Sequence, residues 1–195
     1  MADVRFDPAT VLVVVDVQND FADPGGGLYV RGGEQIVAPV NESVGAAQNS
    51  GSAVVYTQDW HPASTPHFAK DGGVWPVHCV ADTWGAELHP HLLVRGPVVR
   101  KGTSGEDGYS GFSVRDPVSG ESAATQLQSL LDRSVQRLVV VGLAGDYCVK
   151  ETALDGVRLG YVVEVPVELT RFVELETGDK DRSVEDMRAA GIHVT

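Results

Sequence analysis

The sequence is poor in cysteine, in basic residues and in long apolar runs, and each shortage closes off a class of protein. Only Cys79 and Cys148 occur among 195 residues, too few for a disulfide scaffold. Lys and Arg number 15 against 27 Asp and Glu, a formal net charge of −12. Such a balance offers little to nucleic-acid phosphates or to an anionic membrane, so neither partner is expected. No segment approaches the roughly 20 apolar residues of a membrane span. The opening stretch, Met1 to Pro8, lacks the basic and apolar regions of a signal peptide, so a cytoplasmic location is expected. A dinucleotide fingerprint is also missing. Gly25-Gly26-Gly27 follows the first apolar run, but Val30 stands where the pattern needs its third glycine.

What remains is ordinary globular composition, with 43% hydrophobic residues, and a length suited to a single domain over 1–195. Val11 to Val15 is a continuous β-branched run, the pattern of a strand covered on both faces. Ile36, Val37, Val40, Val44 and Ala47 follow at helical spacing, and Gly51 ends that helix. Further strands are expected at Ala53–Thr57, Val98–Lys101, Leu138–Val141, Tyr161–Val165 and Ile192–Val194. Helices are expected at Glu121–Leu131, Val149–Leu159 and Ser183–Ala190. This alternation predicts an α/β fold: a three-layer α/β/α sandwich with a mainly parallel, Rossmann-like sheet.

Two stretches, Gln58–Gly96 and Gly102–Gly120, read as irregular, and loops of that length are often functional. In open α/β sheets, sites form beyond the carboxyl ends of the strands. The residues that end the apolar runs are Asp16, then Asp59 and His61, then Lys101, then Gly142 to Cys148. Carboxylate, imidazole, ammonium and thiol should therefore meet at one edge. Cys148 is placed to open a helix, where free N–H groups favour a thiolate and can hold an oxyanion. An inert buried thiol is the alternative, and Cys79 is read that way. Asp16, at the end of an apolar strand, suits proton transfer, or else caps a loop. Asp16, Cys148 and Lys101 together form a candidate base, nucleophile and electrostatic partner.

A second cluster comprises Asp59, His61 and His78, with His67 as a further candidate ligand. Extended backbone puts Asp59 and His61 on one side. One carboxylate with imidazoles suits zinc, iron or manganese. Taken singly, each histidine has a bland alternative as a surface or hydrogen-bonded core residue. His89 and His91 read as structural or exposed, and the acidic residues from Glu174 to Asp186 read as a solvated face.

Six motifs carry a family resemblance over nearly the whole chain: Asp16-Val17-Gln18-Asn19-Asp20-Phe21, Asp59-Trp60-His61-Pro62, Trp75-Pro76-Val77-His78-Cys79-Val80, Lys101-Gly102, Tyr109-Ser110-Gly111-Phe112 and Gly142 to Val149. The chain resembles the nicotinamidases (pyrazinamidases) of the isochorismatase-like cysteine hydrolase superfamily. The resemblance implies a catalytic triad of Asp16, Lys101 and Cys148. It implies metal ligands at Asp59, His61 and His78, with His67 in some members. Phe21, Trp75 and Tyr109 would hold a pyridine ring, and the N–H groups of Ala144 and Cys148 would form the oxyanion hole. It further implies one divalent transition metal ion, nicotinamide and pyrazinamide as small-molecule substrates, and a place in NAD salvage. A cis peptide is expected after Ala144, where the family often has Thr and this chain has Gly145. Glu168 to Arg171 follows the family only loosely, and nothing is carried over there. An amidase for carbamoyl or ureido substrates on the same fold is the nearest rival, and a non-catalytic metal-binding protein a more distant one. A homo-oligomer is left open.

Overall fold

The computed structural model describes residues 4–195. Met1 to Asp3, part of the stretch read above as lacking a signal peptide, lie outside the described residues. The first apolar run forms β1 (Thr10–Val15), and every one of its residues is buried. Leu12 and Val14 pack into one core, and Val11, Val13 and Val15 into a second on the opposite face. That split follows from side chains alternating across a strand. Each large aliphatic side chain so buried contributes roughly 1.5–3 kcal/mol. The continuous run is thus explained by two cores rather than one.

The chain continues through the single turn α1 (Asn19–Ala22), then α2 (Val37–Asn49), β2 (Ala53–Asp59) and β3 (Val98–Lys101). Next come β4 (Ser113–Arg115), β5 (Ser122–Ala124), α3 (Leu127–Leu130), β6 (Arg137–Leu143) and α4 (Cys148–Arg158). It ends with β7 (Val162–Val165), β8 (Thr170–Arg171), α5 (Asp179–Ala189) and β9 (His193–Val194). The main sheet has the order β3-β2-β1-β6-β7-β9, with β8 beside β6. All its pairings are parallel. Val37, Val40, Val44 and Ala47 of α2 cover one face, while Val149 and Ala153 of α4 and Met187 of α5 cover the other. The three-layer α/β/α architecture and parallel sheet are as the sequence predicts. Among the described residues no helix is long and apolar enough to cross a membrane.

One expected helix does not form. Glu121–Leu131 begins instead as β5, which pairs antiparallel with β4, so that Val114 faces Ala123. The stretch Gly102–Gly120, read as irregular, supplies the partner strand. Thr125 Oγ1 then accepts the Leu127 N–H at 3.1 Å and starts a helix of only four residues. Only the first of the three leucines, Leu127, is fully buried, and Leu130 is exposed. The leucine spacing suits a helix locally, but the antiparallel pairing of β5 with the neighbouring β4 takes up the start of the stretch.

Parallel pairing sets the future site in register. Asp59 lies opposite Lys101 at the ends of β2 and β3, and Val15 lies opposite Gly142 at the ends of β1 and β6. Gly142 has φ +115°, and a Cβ there would collide with the Val15 backbone. Gly142→Ala should therefore destabilise the protein by about 3 kcal/mol through backbone strain and lost sheet contact. Chemical denaturation measures this, and an unchanged midpoint would contradict the close approach.

Candidate active site

Four segments bring one ammonium, two carboxylates and one thiol into the interior. Asp16 follows β1 with φ +49°. Its Oδ2 lies 2.7 Å from Lys101 Nζ, and its Oδ1 accepts the Thr57 hydroxyl at 2.6 Å. Lys101 Nζ also donates to Asp59 Oδ1 and to the Gly108 carbonyl, and it stands 3.8 Å from Cys148 Sγ. Both Asp16 and Lys101 are buried, at 0% and 1% exposure, which excludes a solvated lysine at a strand end.

Burial raises the Asp16 carboxyl to about 6, against the opposing pull of Lys101. Burial also pushes the Cys148 thiol well above its ordinary value, again opposed by Lys101. Asp59 is desolvated too, but Lys101, His61 and His78 outweigh that and hold it below the usual carboxylate range. The Lys101 ammonium is itself penalised by burial, yet Asp16 and Asp59 keep it charged. Asp59 is thus the firmly ionised partner, and Asp16 is the carboxylate able to exchange a proton near neutrality.

Cys148 is the first residue of α4. The Tyr147 and Val149 N–H groups both return to the Ala144 carbonyl, at 3.1 and 3.0 Å. The Cys148 N–H stands at the head of the helix, where a backbone donor has no intrahelical acceptor. Both Ala144 and Cys148 border the same pocket. The cis peptide expected after Ala144 lies one bond earlier, between Leu143 and Ala144. The following amide is instead held by Gly145 N–H donating to the Arg171 carbonyl at 2.7 Å.

Beside this network, His61, His67 and His78 converge, with ligand atoms within 4.8 Å of one another. His61 is fully buried, and neither ring nitrogen has a hydrogen-bond partner. A buried polar group is normally satisfied, so an ion is the natural partner for this ring. His78 Nδ1 donates to the Pro76 carbonyl at 2.7 Å, which leaves the Nε2 lone pair free. Burial, then His61 and His78, lower His67 to about 3, keeping it neutral. Asp59 Oδ2 lies 3.7 Å from His61 Nε2 while its other oxygen faces Lys101. This chain's donors therefore fit a divalent transition metal, with three imidazoles closest together and Asp59 bordering both clusters.

The two clusters open into one pocket. Phe21, Trp75 and Tyr109 line it together with Asp59, His67, His78, Ala144 and Cys148, so the residues expected to hold a ring do share a cavity. Trp75 Nε1 donates to Tyr109 Oη at 2.8 Å, which fixes both rings. Burial pushes the Tyr109 hydroxyl up to about 12, so it stays protonated.

Several residues escaped sequence reasoning. Tyr147 lines the pocket and meets Trp75 edge-on at 4.8 Å. Phe68, fully buried, packs its ring against His61 and His78 at 5.6 and 5.4 Å. Gln18 Nε2 donates to the Asp59 and Ala86 carbonyls while its Oε1 accepts the Asp59 N–H, each at 2.8 Å. Gln18 and Tyr147 lie inside the quoted motifs, where a polar or aromatic neighbour was the available signal; for Phe68 the only signal was its place beside His67. Cys79 is buried and pushed well above its ordinary value, first by desolvation, in keeping with a structural role.

A parallel α/β sandwich with a buried Asp-Lys-Cys network beside a histidine cage defines a hydrolase of the isochorismatase fold. The isochorismatase domain model matches residues 10–195, and the chain belongs to that family, among hydrolases that act on amides. The nicotinamidase of Escherichia coli is 38% identical, over 94% of this chain and 93% of its own. The pyrazinamidase of Pyrococcus horikoshii, solved in complex with zinc, is 35% identical with a TM-score of 0.85, over 96% of this chain and 99% of its own. A PnC1 structure from L. infantum in complex with nicotinate has 33% identity and a TM-score of 0.88, over 98% and 95%.

Lys101 joins two carboxylates that would otherwise face each other in the interior. Lys101→Met should cost about 3–5 kcal/mol, because each carboxylate loses its cation while staying buried. Urea denaturation at neutral pH measures the loss. Wild-type stability in the variant would show that the ammonium does not hold the site together.

Proposed function

We propose that the chain is a metal-dependent nicotinamidase, hydrolysing nicotinamide to nicotinate and ammonia through a thioester on Cys148. The observation that carries this reading is the shared pocket. Cys148 Sγ stands 3.8 Å from the Lys101 ammonium that pairs with Asp16, and the same cavity reaches His67, His78 and three aromatic walls. The E. coli and P. horikoshii relatives, named for nicotinamide and pyrazinamide hydrolysis, support this substrate class.

The pyridine ring lies between Phe21, Trp75 and Tyr109, which exclude water and fix its orientation. His61, His67 and His78, with Asp59 alongside, would hold a zinc, iron or manganese ion. That ion, when bound, supplies a Lewis acid to anchor the ring nitrogen. Asp16 takes the proton of the Cys148 thiol as sulfur attacks the amide carbon. The N–H groups of Ala144 and Cys148 receive the developing oxyanion. Asp16 returns the proton to nitrogen, the C–N bond breaks and ammonia leaves. Water then attacks the thioester, losing a proton to Asp16. The thiol regains that proton, and the product departs as nicotinate once its remaining acid proton passes to the released ammonia in solvent. Lys101 holds Asp16 in place and keeps its charge stabilised between transfers.

The decisive assay is ammonia release from nicotinamide. Cys148→Ala should lower kcat by at least ~10⁴-fold with the protein still folded, and turnover retained in that variant would exclude the thioester route. Asp16 must be deprotonated to act as the base, and burial raises it to about 6. Activity is therefore expected above that pH and to fall as pH drops through it. A kcat/KM profile flat from about pH 7 to about pH 5 would remove Asp16 from the role. His61→Ala should lower bound metal and raise KM. Unchanged metal content by elemental analysis would reject His61 as a ligand.

A further inference from the structure

Residues 170–174 take no part in the chemistry above, yet each lies against the turn that leads from β6 to Cys148. Thr170 Oγ1 donates to the Gly142 carbonyl at 2.6 Å. The Arg171 carbonyl accepts the Gly145 N–H at 2.7 Å. The Asp146 carboxylate, itself buried, accepts the Val173 and Glu174 N–H groups at 3.0 and 2.9 Å. Val173 then enters the wall of the substrate pocket. The segment is thus fastened along the whole turn that carries the Ala144 amide.

At the middle of this contact the Phe172 ring lies on Gly145. A Cβ at residue 145 would stand 2.5–2.8 Å from three ring carbons, closer than real side chains approach. Gly145 does not have a left-handed φ, so its backbone would accept alanine. The three nearest atoms all belong to the ring, so the ring excludes a side chain there. Lys180 Nζ lies 5.4 Å from the centroid of the same ring, a cation–π contact that helps hold it in place.

We propose that residues 170–174 form a clamp that positions the oxyanion-binding turn, with Phe172 as the positioning residue and the bare Cα of Gly145 as its socket. The proposal rests on the reading of Ala144 and Cys148 as the oxyanion donors. Phe172 touches neither substrate nor reacting atoms. It acts by holding the Ala144 to Cys148 segment where the N–H groups point into the pocket. Displacing such a donor costs about 10²-fold or more in rate, and the effect is expected on kcat because Phe21, Trp75 and Tyr109, the walls assigned to the ring, lie on other segments.

The test is a double-variant cycle with two readouts. The first is ammonia release from nicotinamide by the metal-loaded protein. The second is the rate of Cys148 alkylation by iodoacetamide, read by peptide mass, which needs no turnover. Gly145→Ala should lower kcat ~10²-fold and Phe172→Ala ~10-fold, each leaving KM within about threefold. The combined Gly145→Ala, Phe172→Ala variant should recover to the level of Phe172→Ala alone, because removing the ring opens the space the new Cβ needs. Alkylation of Cys148 should slow and recover in the same order. Phe172→Leu, which refills much of the space, should exceed Phe172→Ala in kcat. A double variant as slow as Gly145→Ala in both readouts would overturn the proposal. So would a Phe172→Ala variant that melts at a lower temperature but keeps wild-type kcat and alkylation. Should the wild type release no ammonia from nicotinamide, the functional reading fails by itself, and the alkylation series still decides whether the clamp exists.

Discussion

The structure turns on one buried ammonium. Lys101 carries its charge into an interior that would expel it, were Asp16 and Asp59 not placed on either side. Removing an ion from water costs several kcal/mol even after relaxation, and only close, well-directed partners offset this. Those partners come from two different strands, and their positions follow from the parallel register that sets Asp59 opposite Lys101. Three β-strands must therefore be paired correctly before the charges can balance. The sheet thus serves as a jig for the ion cluster as well as a hydrophobic core.

The same ammonium links the two halves of the site. Through Asp16 it reaches the group that would move a proton for Cys148. Through Asp59 it reaches the histidine cage, since the far oxygen of that carboxylate lies 3.7 Å from His61. Burial acts on the two ends in different ways. It raises both the Cys148 thiol and the Asp16 carboxyl, the latter to about 6, while Lys101 opposes the rise in each. It also keeps His67 neutral, which is the form that offers a lone pair.

Much of this was legible in the sequence because the fold follows local pattern. The β-branched run at Val11–Val15 fits a strand buried on both faces, as it is, and the rule that sites form past strand ends led to Asp16, Lys101 and Cys148. What escaped depends on contacts that periodicity does not encode, one of them in a local hairpin and others between segments far apart in the chain. The leucines of Glu121–Leu131 carry helical spacing, but β5 pairs with β4 and limits the helix to one turn. The contacts of Gln18 with Asp59 and Ala86, and the contact of Phe172 with Gly145, join positions that no periodicity connects. The turn before Cys148 illustrates both cases. Its motif pointed to an unusual peptide bond, which lies before Ala144 rather than after it, while the contacts of residues 170–174 with the turn carry no signal in the sequence.

The central claim is that Cys148 forms a covalent acyl intermediate with a pyridine carboxamide. The most direct measurement is rapid acid quench of the metal-loaded protein during turnover of nicotinamide, followed by peptide mass analysis. The account expects a pyridine-carbonyl adduct on the peptide carrying Cys148 and none on the peptide carrying Cys79. Turnover with an adduct on any other residue would contradict it.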